Sequence, residues 1–497
     1  MHFDEILHVI GGFGKFQKIL YVWICLPQVF LAFHMLVSIF TGAVPPHLCR
    51  TKQPPDGSPA SFNSSLMISP SIWPEVTCPV PFNQSAAVAS GDGGPSMSCQ
   101  GGWEYSTETF QSTTVSEWNL VCDMASLNYM SSSIYMFGLL VGAALFGCLA
   151  DKYGRRNIIL ISLAMQAIFG VGAAYAPNFH IYTSLRFMVG MSVSGVIMNA
   201  FVLGTEWTGS KQRMLAGIIT DYSFGVGYIL LAGVAYLIRD WRTLQLAISA
   251  PGFLFIFYIW VLPKSARWLM ANNRKEEAWE LIQKAALMNG KPFTLDPEII
   301  LKLGNIFVFN SICLCVVRFV NILVYYGLSL NISDFGMNIY LTQMIFGLVE
   351  MPARTITLFT LNRSRKFSQL AFLLVGGTAC LLTIFVPIIK TVLAMIGKFG
   401  VTASLSIIYV YSAEVFPTVI RQNGIGIGSM FARFGGVLAP MMYLLKGISP
   451  QAPMILCGLL PLLGAGLTML LPETANKPLP DTIEDIEGSR LRLDLAF

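Results

Sequence analysis

The chain has 497 residues, 54% hydrophobic and only 12% charged, with a mean hydropathy of +0.62. Soluble domains carry roughly 25% charged residues, so the charges needed to coat two or three soluble domains of this length are missing. The net charge of +5 is modest and the basic residues form no stripe suited to nucleic acid. No P-loop, HExxH or GxSxG motif occurs. An enzyme, a cofactor and a metal are therefore not expected, and transport would have to run on gradients or exchange.

A bilayer-crossing helix needs about 20 apolar residues. The first such run, 19–40, contains Gln28 and His34 and lacks a small-residue cleavage site, so it reads as a retained helix and not a signal peptide. A polar segment rich in Pro, Ser and Gly follows, 43–126, with Cys49, Cys78, Cys99 and Cys122 and glycosylation sequons at Asn63 and Asn83. Together these predict an extracellular, glycosylated, disulfide-bonded loop. Four cysteines allow three pairings and none is selected; zinc is disfavoured because there is no CxxC and no clustered His. The other six, Cys25, Cys148, Cys313, Cys315, Cys380 and Cys457, sit in or beside apolar runs as small hydrophobes.

Five more runs, 129–150, 157–176, 180–204, 214–238 and 243–262, complete an N-terminal half over 1–262. The central loop 263–304 is polar, and its stretch 274–286 predicts a short amphipathic helix. Runs at 305–327, 337–360, 368–388, 391–412, 423–446 and 452–471 make a C-terminal half over 305–472, and the tail 473–497 is polar. The expected architecture is all-α, with twelve membrane helices in two six-helix halves. Lys152, Arg155, Arg156, Lys211, Arg213, Lys264, Arg267, Arg274, Arg363, Arg365 and Lys366 fall on one side if both termini are cytoplasmic. The sequons then face outward, as a plasma-membrane protein requires.

The halves echo each other. Glu206 and Arg213 in TEWTGSKQR repeat the spacing of Glu414 and Arg421 in AEVFPTVIR; LPKSA (262–266) answers LPETA (471–475), and GCLADKYGRR (147–156) is echoed by LNRSRK (361–366). Parallel repeats of this kind place a substrate site near the bilayer midplane, between the halves.

At these motifs the sequence resembles the major facilitator superfamily, through Gly147-x-x-x-Asp151-Lys152-x-Gly154-Arg155-Arg156. GGFGKFQ (11–17), HLCR (47–50), STTVSEWNLVCD (112–123), SARWL (265–269) and SAEVFPTVIRQNG (412–424) narrow the resemblance to the organic ion transporter family. The segment 325–354 looks most like its organic anion branch, especially the nicotinate and urate exchanger. The resemblance implies a small organic anion substrate, a counter-anion, and a cavity to which His34 and Phe201 contribute. It also implies basic side chains at the positions of Arg354 and Arg433, where cation carriers have an acid at the second.

Arg433 and Arg354 lie inside membrane spans, where a guanidinium is costly unless it meets a partner or a wet cavity, and its planar fork suits a carboxylate. The bland alternative is a permanent ion pair, with Asp221 and Glu350 as candidate partners. Tyr222, Tyr325, Tyr326 and Tyr409 offer amphipathic rings to a flat anion, although aromatics in membrane helices often only pack. Ser429 lies one turn before Arg433 on the same helix face. His34 could bind protons or sit as an ordinary helix residue. Asp151, Arg155 and Arg156 could latch against Glu206, Arg213, Glu414 and Arg421 when the cavity faces outward, or merely set topology.

Three features depart from the resemblance. Lys264 stands where the family has Glu, which would remove an acidic partner for the basic loop. The approach to the seventh span, GNIFVFN (304–310), is short and lacks basic residues. Arg318 replaces an aromatic, with three readings open: it joins the anion site, pairs with Asp221, or impairs transport. A lesser departure is Ser364 in place of Gly. The rival readings are a cation or zwitterion (carnitine-like) carrier and a transport-inactive membrane binding or sensor protein.

Overall fold

A computed structural model describes residue 7 and residues 10–49, 102–209, 212–291, 309–330, 338–361, 363–386, 389–415, 421–447 and 449–474. Among the described residues twelve helical spans are long and apolar enough to cross a membrane: α1 (Lys15–Thr41), α2 (Cys122–Tyr153), α3 (Arg155–Ala174), α4 (Phe179–Glu206), α5 (Leu215–Leu237), α6 (Trp241–Val261), α7 (Ile312–Ser329), α8 (Ile339–Leu361), α9 (Arg365–Phe385), α10 (Lys390–Ser412), α11 (Gly426–Gly447) and α12 (Ala452–Met469). The expected spans are all present. The second begins earlier than its apolar run, because the polar stretch Cys122–Asn128 continues the helix beyond the hydrocarbon-length segment.

Packing repeats the sequence duplication. In the first half α1 packs on α5, α2 on α4, α3 on α4 and α3 on α6; in the second, α7 packs on α11, α8 on α10, α9 on α10 and α9 on α12. Each contact of the first half recurs six helices later. The halves meet through α5 against α8 and α2 against α11, and these two seams exchange under the same six-helix shift. Such close packing without a hydrophobic driving force depends on small residues. A Cβ on Gly142 of α2 would lie 2.3 Å from the Met191 carbonyl oxygen of α4, and one on Gly435 of α11 would lie 2.5 Å from that of Phe319 on α7.

One end of the bundle carries an antiparallel hairpin, His47–Cys49 with Trp103–Tyr105, and the short helix Thr114–Trp118 capped by Thr113, whose hydroxyl accepts from Ser116 N at 3.1 Å. Glu117 fixes this hairpin end to α6 by accepting from Trp241 Nε1 at 2.7 Å and pairing with Arg242. The opposite, central-segment end carries Ala266–Ala271, capped by Ser265, and Lys275–Met288. The latter is the expected amphipathic helix, with Ala278, Ile282, Ala285 and Ala286 buried. Asn289 then ties it to the start of α1, accepting from Phe16 N at 2.8 Å and donating to the Ile10 carbonyl at 2.9 Å.

The six cysteines of the apolar runs are free thiols, and Cys122 is disulfide-bonded. Asn63, Asn83, Cys78, Cys99 and the Cys49 side chain lie outside the described residues. Lys264 does find an acid: its Nζ lies 3.0 Å from Glu277 Oε2, a carboxylate that also binds Arg274. The basic loop finds its partners elsewhere, in Asp151 and Glu206 for Arg155 and the Ile259 carbonyl for Arg156.

Candidate functional site

Arg354 of α8 is almost fully enclosed. Its Nη2 lies 2.9 Å from Glu350 Oε2, one turn earlier, and its Nη1 lies 3.1 Å from Asp221 Oδ2 on α5 of the other half. Both candidate acids named from the sequence are thus at hand. Glu350 is shared: Lys398 Nζ of α10 lies 3.1 Å from its other oxygen, which also accepts from the Tyr325 hydroxyl. Lys398 is completely buried, donates to Ser329 Oγ and sits 3.2 Å from the centre of the Tyr325 ring. Two acids and two bases form a formally neutral network, the arrangement in which buried charge is tolerable. Asp221 is its open edge, with a side chain 45% exposed. Lys398 went unnoticed in the sequence, although a lysine inside the apolar run MIGKFG carries the same signal as the arginines.

Arg433 of α11 has different surroundings. Its Nη1 donates to the Leu139 carbonyl of α2 across the second seam at 3.3 Å, and among the described residues no carboxylate pairs with it. Ser429, one turn earlier, is buried and accepts from Arg318 Nη1 at 3.2 Å, while Arg318 Nε donates to Ser412 Oγ at 3.2 Å. The Arg318 guanidinium lies 4.4 Å from the centre of the Tyr409 ring, which is 42% exposed. Of the three readings of Arg318, pairing with Asp221 is not found; Asp221 is engaged by Arg354. Tyr326 is buried beside this region with its hydroxyl against Met35 Sδ.

The remaining aromatic and His candidates scatter. Tyr222 reaches across the first seam to Thr355 Oγ1, and Phe201 is exposed near Gly217. His34 is buried within the first half, where its ring carbon Cε1 approaches Gly170 of α3, and its carbonyl accepts from Arg186 at 3.1 Å. Arg433, Ser429, Tyr409 and Tyr326 are therefore brought together with Arg318; Arg354 and Tyr325 join the neutral network; Tyr222 lies beside Asp221 in α5; His34 stands apart.

At the central-segment end, charges pair within each half. Arg155 lies 2.5 Å from Asp151 and 3.6 Å from Glu206, and Arg156 donates to the Ile259 carbonyl. In the second half Arg365 lies 3.0 Å from Glu414. Arg155 with Glu206 and Arg365 with Glu414 occupy equivalent places in the two repeats. Arg365 was legible only as a topology charge, although the LNRSRK echo aligned it with the Arg155 loop. The Arg213 and Arg421 side chains lie outside the described set, and among the described residues no ion pair joins the halves at this end. At the hairpin end they do meet: Tyr340 of α8 donates to the Thr109 carbonyl at 3.1 Å and stacks on Phe40 of α1, and Tyr129 of α2 stacks on Tyr443 of α11.

Comparison with known proteins agrees with this architecture. The family model described as sugar (and other) transporter matches residues 96–300. The chain is 36% identical to solute carrier family 22 member 6 of Bos taurus over 99% of this chain and 95% of that protein. It is 39% identical to solute carrier family 22 member 13 of Homo sapiens over 98% of this chain and 93% of that protein. Identity to the organic cation transporter protein of Drosophila melanogaster is 38%, over 98% and 95%. Among solved structures, the proton:xylose symporter XylE, a major facilitator superfamily protein, superposes with a TM-score of 0.62 at 16% identity, over 94% of this chain and 98% of that one, a likeness of fold alone. The chain therefore belongs to solute carrier family 22, as a multi-pass membrane transporter of organic ions with the major facilitator fold, and it is not an enzyme.

Proposed function

We propose that the transported ions are small organic anions, with nicotinate, urate and related monocarboxylates as the leading class, carried across the plasma membrane in exchange for a counter-anion. The observation that carries this reading is the charge balance inside the spans. Among the described residues Asp221 and Glu350 pair with Arg354 and Lys398, and no carboxylate pairs with Arg433. Arg433, at the seam between the halves, is left to be neutralised by cargo. An entering carboxylate would supply a charge-assisted fork to its guanidinium and lower the cost of closing the halves around it.

Alternating access follows from the two ends. The hairpin-end contacts and the intra-half pairs at the other end fit a cavity open toward the central segment, which we assign to the cytoplasm with both termini. On this reading Asp151, Arg155, Arg156, Glu206, Arg213, Glu414 and Arg421 form inter-half contacts when the cavity faces outward. Glycans on Asn63 and Asn83 and disulfides among Cys49, Cys78, Cys99 and Cys122 belong to the outward loop on the same reading.

The test is radiolabelled nicotinate and urate uptake in cells with surface expression verified, with and without preloaded lactate or dicarboxylate, and with tetraethylammonium uptake as counterscreen. Saturable anion uptake raised by preloading is expected. Saturable tetraethylammonium uptake in its place would assign the chain to cation carriers, and binding without flux to a silent receptor.

A further inference from the structure

A second positively charged site lies within the first half, around Arg186 of α4. At the hairpin end of α1, α2 and α4 a small cavity of about 10 Å³ is bounded by Arg186, Ser38, Thr41, Asn128, Ser131 and Ser132 among others, and no acidic residue lines it. That space suits a monatomic ion better than a ring-bearing organic carboxylate.

Arg186 is only 2% exposed. Its Nη2 donates to the His34 carbonyl and its guanidinium lies 4.3 Å from the centre of the Tyr135 ring, but Nη1 has no hydrogen-bond partner. Among the described residues no carboxylate pairs with it. The other polar groups of the wall divide by what they have left to offer. Thr41 Oγ1 donates to the Val37 carbonyl at 3.2 Å, which commits its proton, and Asn128 Nδ2 gives one of its two protons to the Gly42 carbonyl at 2.8 Å. Ser131 Oγ accepts from Thr183 Oγ1 at 3.4 Å, which leaves its own proton to donate. The hydroxyls of Ser38 and Ser132 likewise donate to no protein acceptor among the described residues. A buried guanidinium and the residues of three spare hydroxyl protons therefore line one small cavity. A water molecule would satisfy hydrogen bonds there but leave the buried charge uncompensated, whereas a monatomic anion satisfies both.

We propose that Arg186, Ser38, Ser131 and Ser132 form a binding site for one halide-sized inorganic anion, separate from the organic-anion path. The site joins the ends of α1, α2 and α4, so its occupancy stabilises the first half.

The probe is chloride or bromide, added as the sodium salt to purified full-length protein in sodium gluconate at constant ionic strength, with the thermal unfolding midpoint as readout. A saturable, halide-specific rise is expected in the wild type. The halide dissociation constant should weaken at least tenfold in the Ser131→Ala/Ser132→Ala double variant, which leaves the arginine in place and removes only the 3.4 Å contact from Thr183 of α4, and stay within about twofold in Arg433→Ala. No halide-dependent shift in the wild type would mean that the cavity holds an ordered water only and would overturn the proposal. So would a shift that persists unchanged in the serine variant, or one that vanishes in Arg433→Ala, which would place the halide on the central path.

Discussion

Arg354 and Arg433 occupy symmetry-related seams, each reaching from the second half toward the first, yet they carry opposite electrostatic loads. Arg354 is clamped between Asp221 and Glu350, and Lys398 completes a neutral set. Arg433 reaches only the Leu139 carbonyl across its seam. A guanidinium within a membrane span is thus not by itself a sign of substrate contact; what separates a structural arginine from a recognition arginine is whether protein carboxylates have already discharged it. On the proposed function the two arginines divide the labour, Arg354 holding its seam through Asp221 and Glu350 and Arg433 meeting the anion.

The comparison predicts opposite signs for stability. Glu350→Gln strips the shared acid from both Arg354 and Lys398, and breaking a buried pair this way costs about 3–5 kcal/mol. A large fall in the thermal unfolding midpoint of the purified protein is expected, much of it restored by the double change Glu350→Gln/Lys398→Met. A midpoint unmoved by Glu350→Gln would show that the network contributes nothing to the fold.

Arg433→Ala should do the reverse. Loss of a hydrogen bond to a charged group costs about 1.5–3 kcal/mol, or roughly 10- to 100-fold in uptake efficiency, while the midpoint holds or rises because an uncompensated charge has been removed. A destabilised Arg433→Ala protein would mean that this arginine, too, is structural.

Smaller effects test the edges. Asp221 is half-exposed, so Asp221→Asn is expected to cost only about 1 kcal/mol or less of stability. Because Asp221–Arg354 ties the two halves, exchange rates should change more than substrate affinity does. In the central segment, hydrogen bonds from Lys264 and Arg274 hold the Glu277 carboxyl below the usual glutamate range. That tie is present at neutral pH and is lost as the pH falls through the lowered value. It is solvent-exposed, so Lys264→Ala should leave the neutral-pH midpoint unchanged, and any measurable fall would give the segment a structural role.

Much of this organisation was legible in the residues. Twelve apolar runs of bilayer length and the duplicated Glu–Arg spacing led directly to the two six-helix halves, because length and periodicity alone decide whether a helix can span. Asp221 and Glu350 were recognisable as partners for Arg354 because acids are so scarce in the spans. The choice between the two arginines was not legible. It depends on which side chains meet across α5 and α8 and across α2 and α11, and spacing within one helix carries no such information. Lys398 illustrates the same limit: its role comes from Glu350 on α8 and Ser329 on α7, not from its own neighbours in sequence. The placement of Arg318 against Tyr409 and Ser429 was equally hidden, since three helices contribute to it.

The most direct test uses a pair of ligands that differ only in charge. Inhibition of uptake by nicotinate and by its uncharged analogue nicotinamide would be measured for the wild type, for Arg433→Ala and for the Asp221→Asn/Arg354→Gln double variant. The account predicts that the wild type prefers the carboxylate about 10-fold or more, the size of one charge-assisted hydrogen bond. It predicts that the preference collapses in Arg433→Ala and survives in the double variant. A preference that survives loss of Arg433, or that disappears when only the Asp221–Arg354 pair is neutralised, would contradict it.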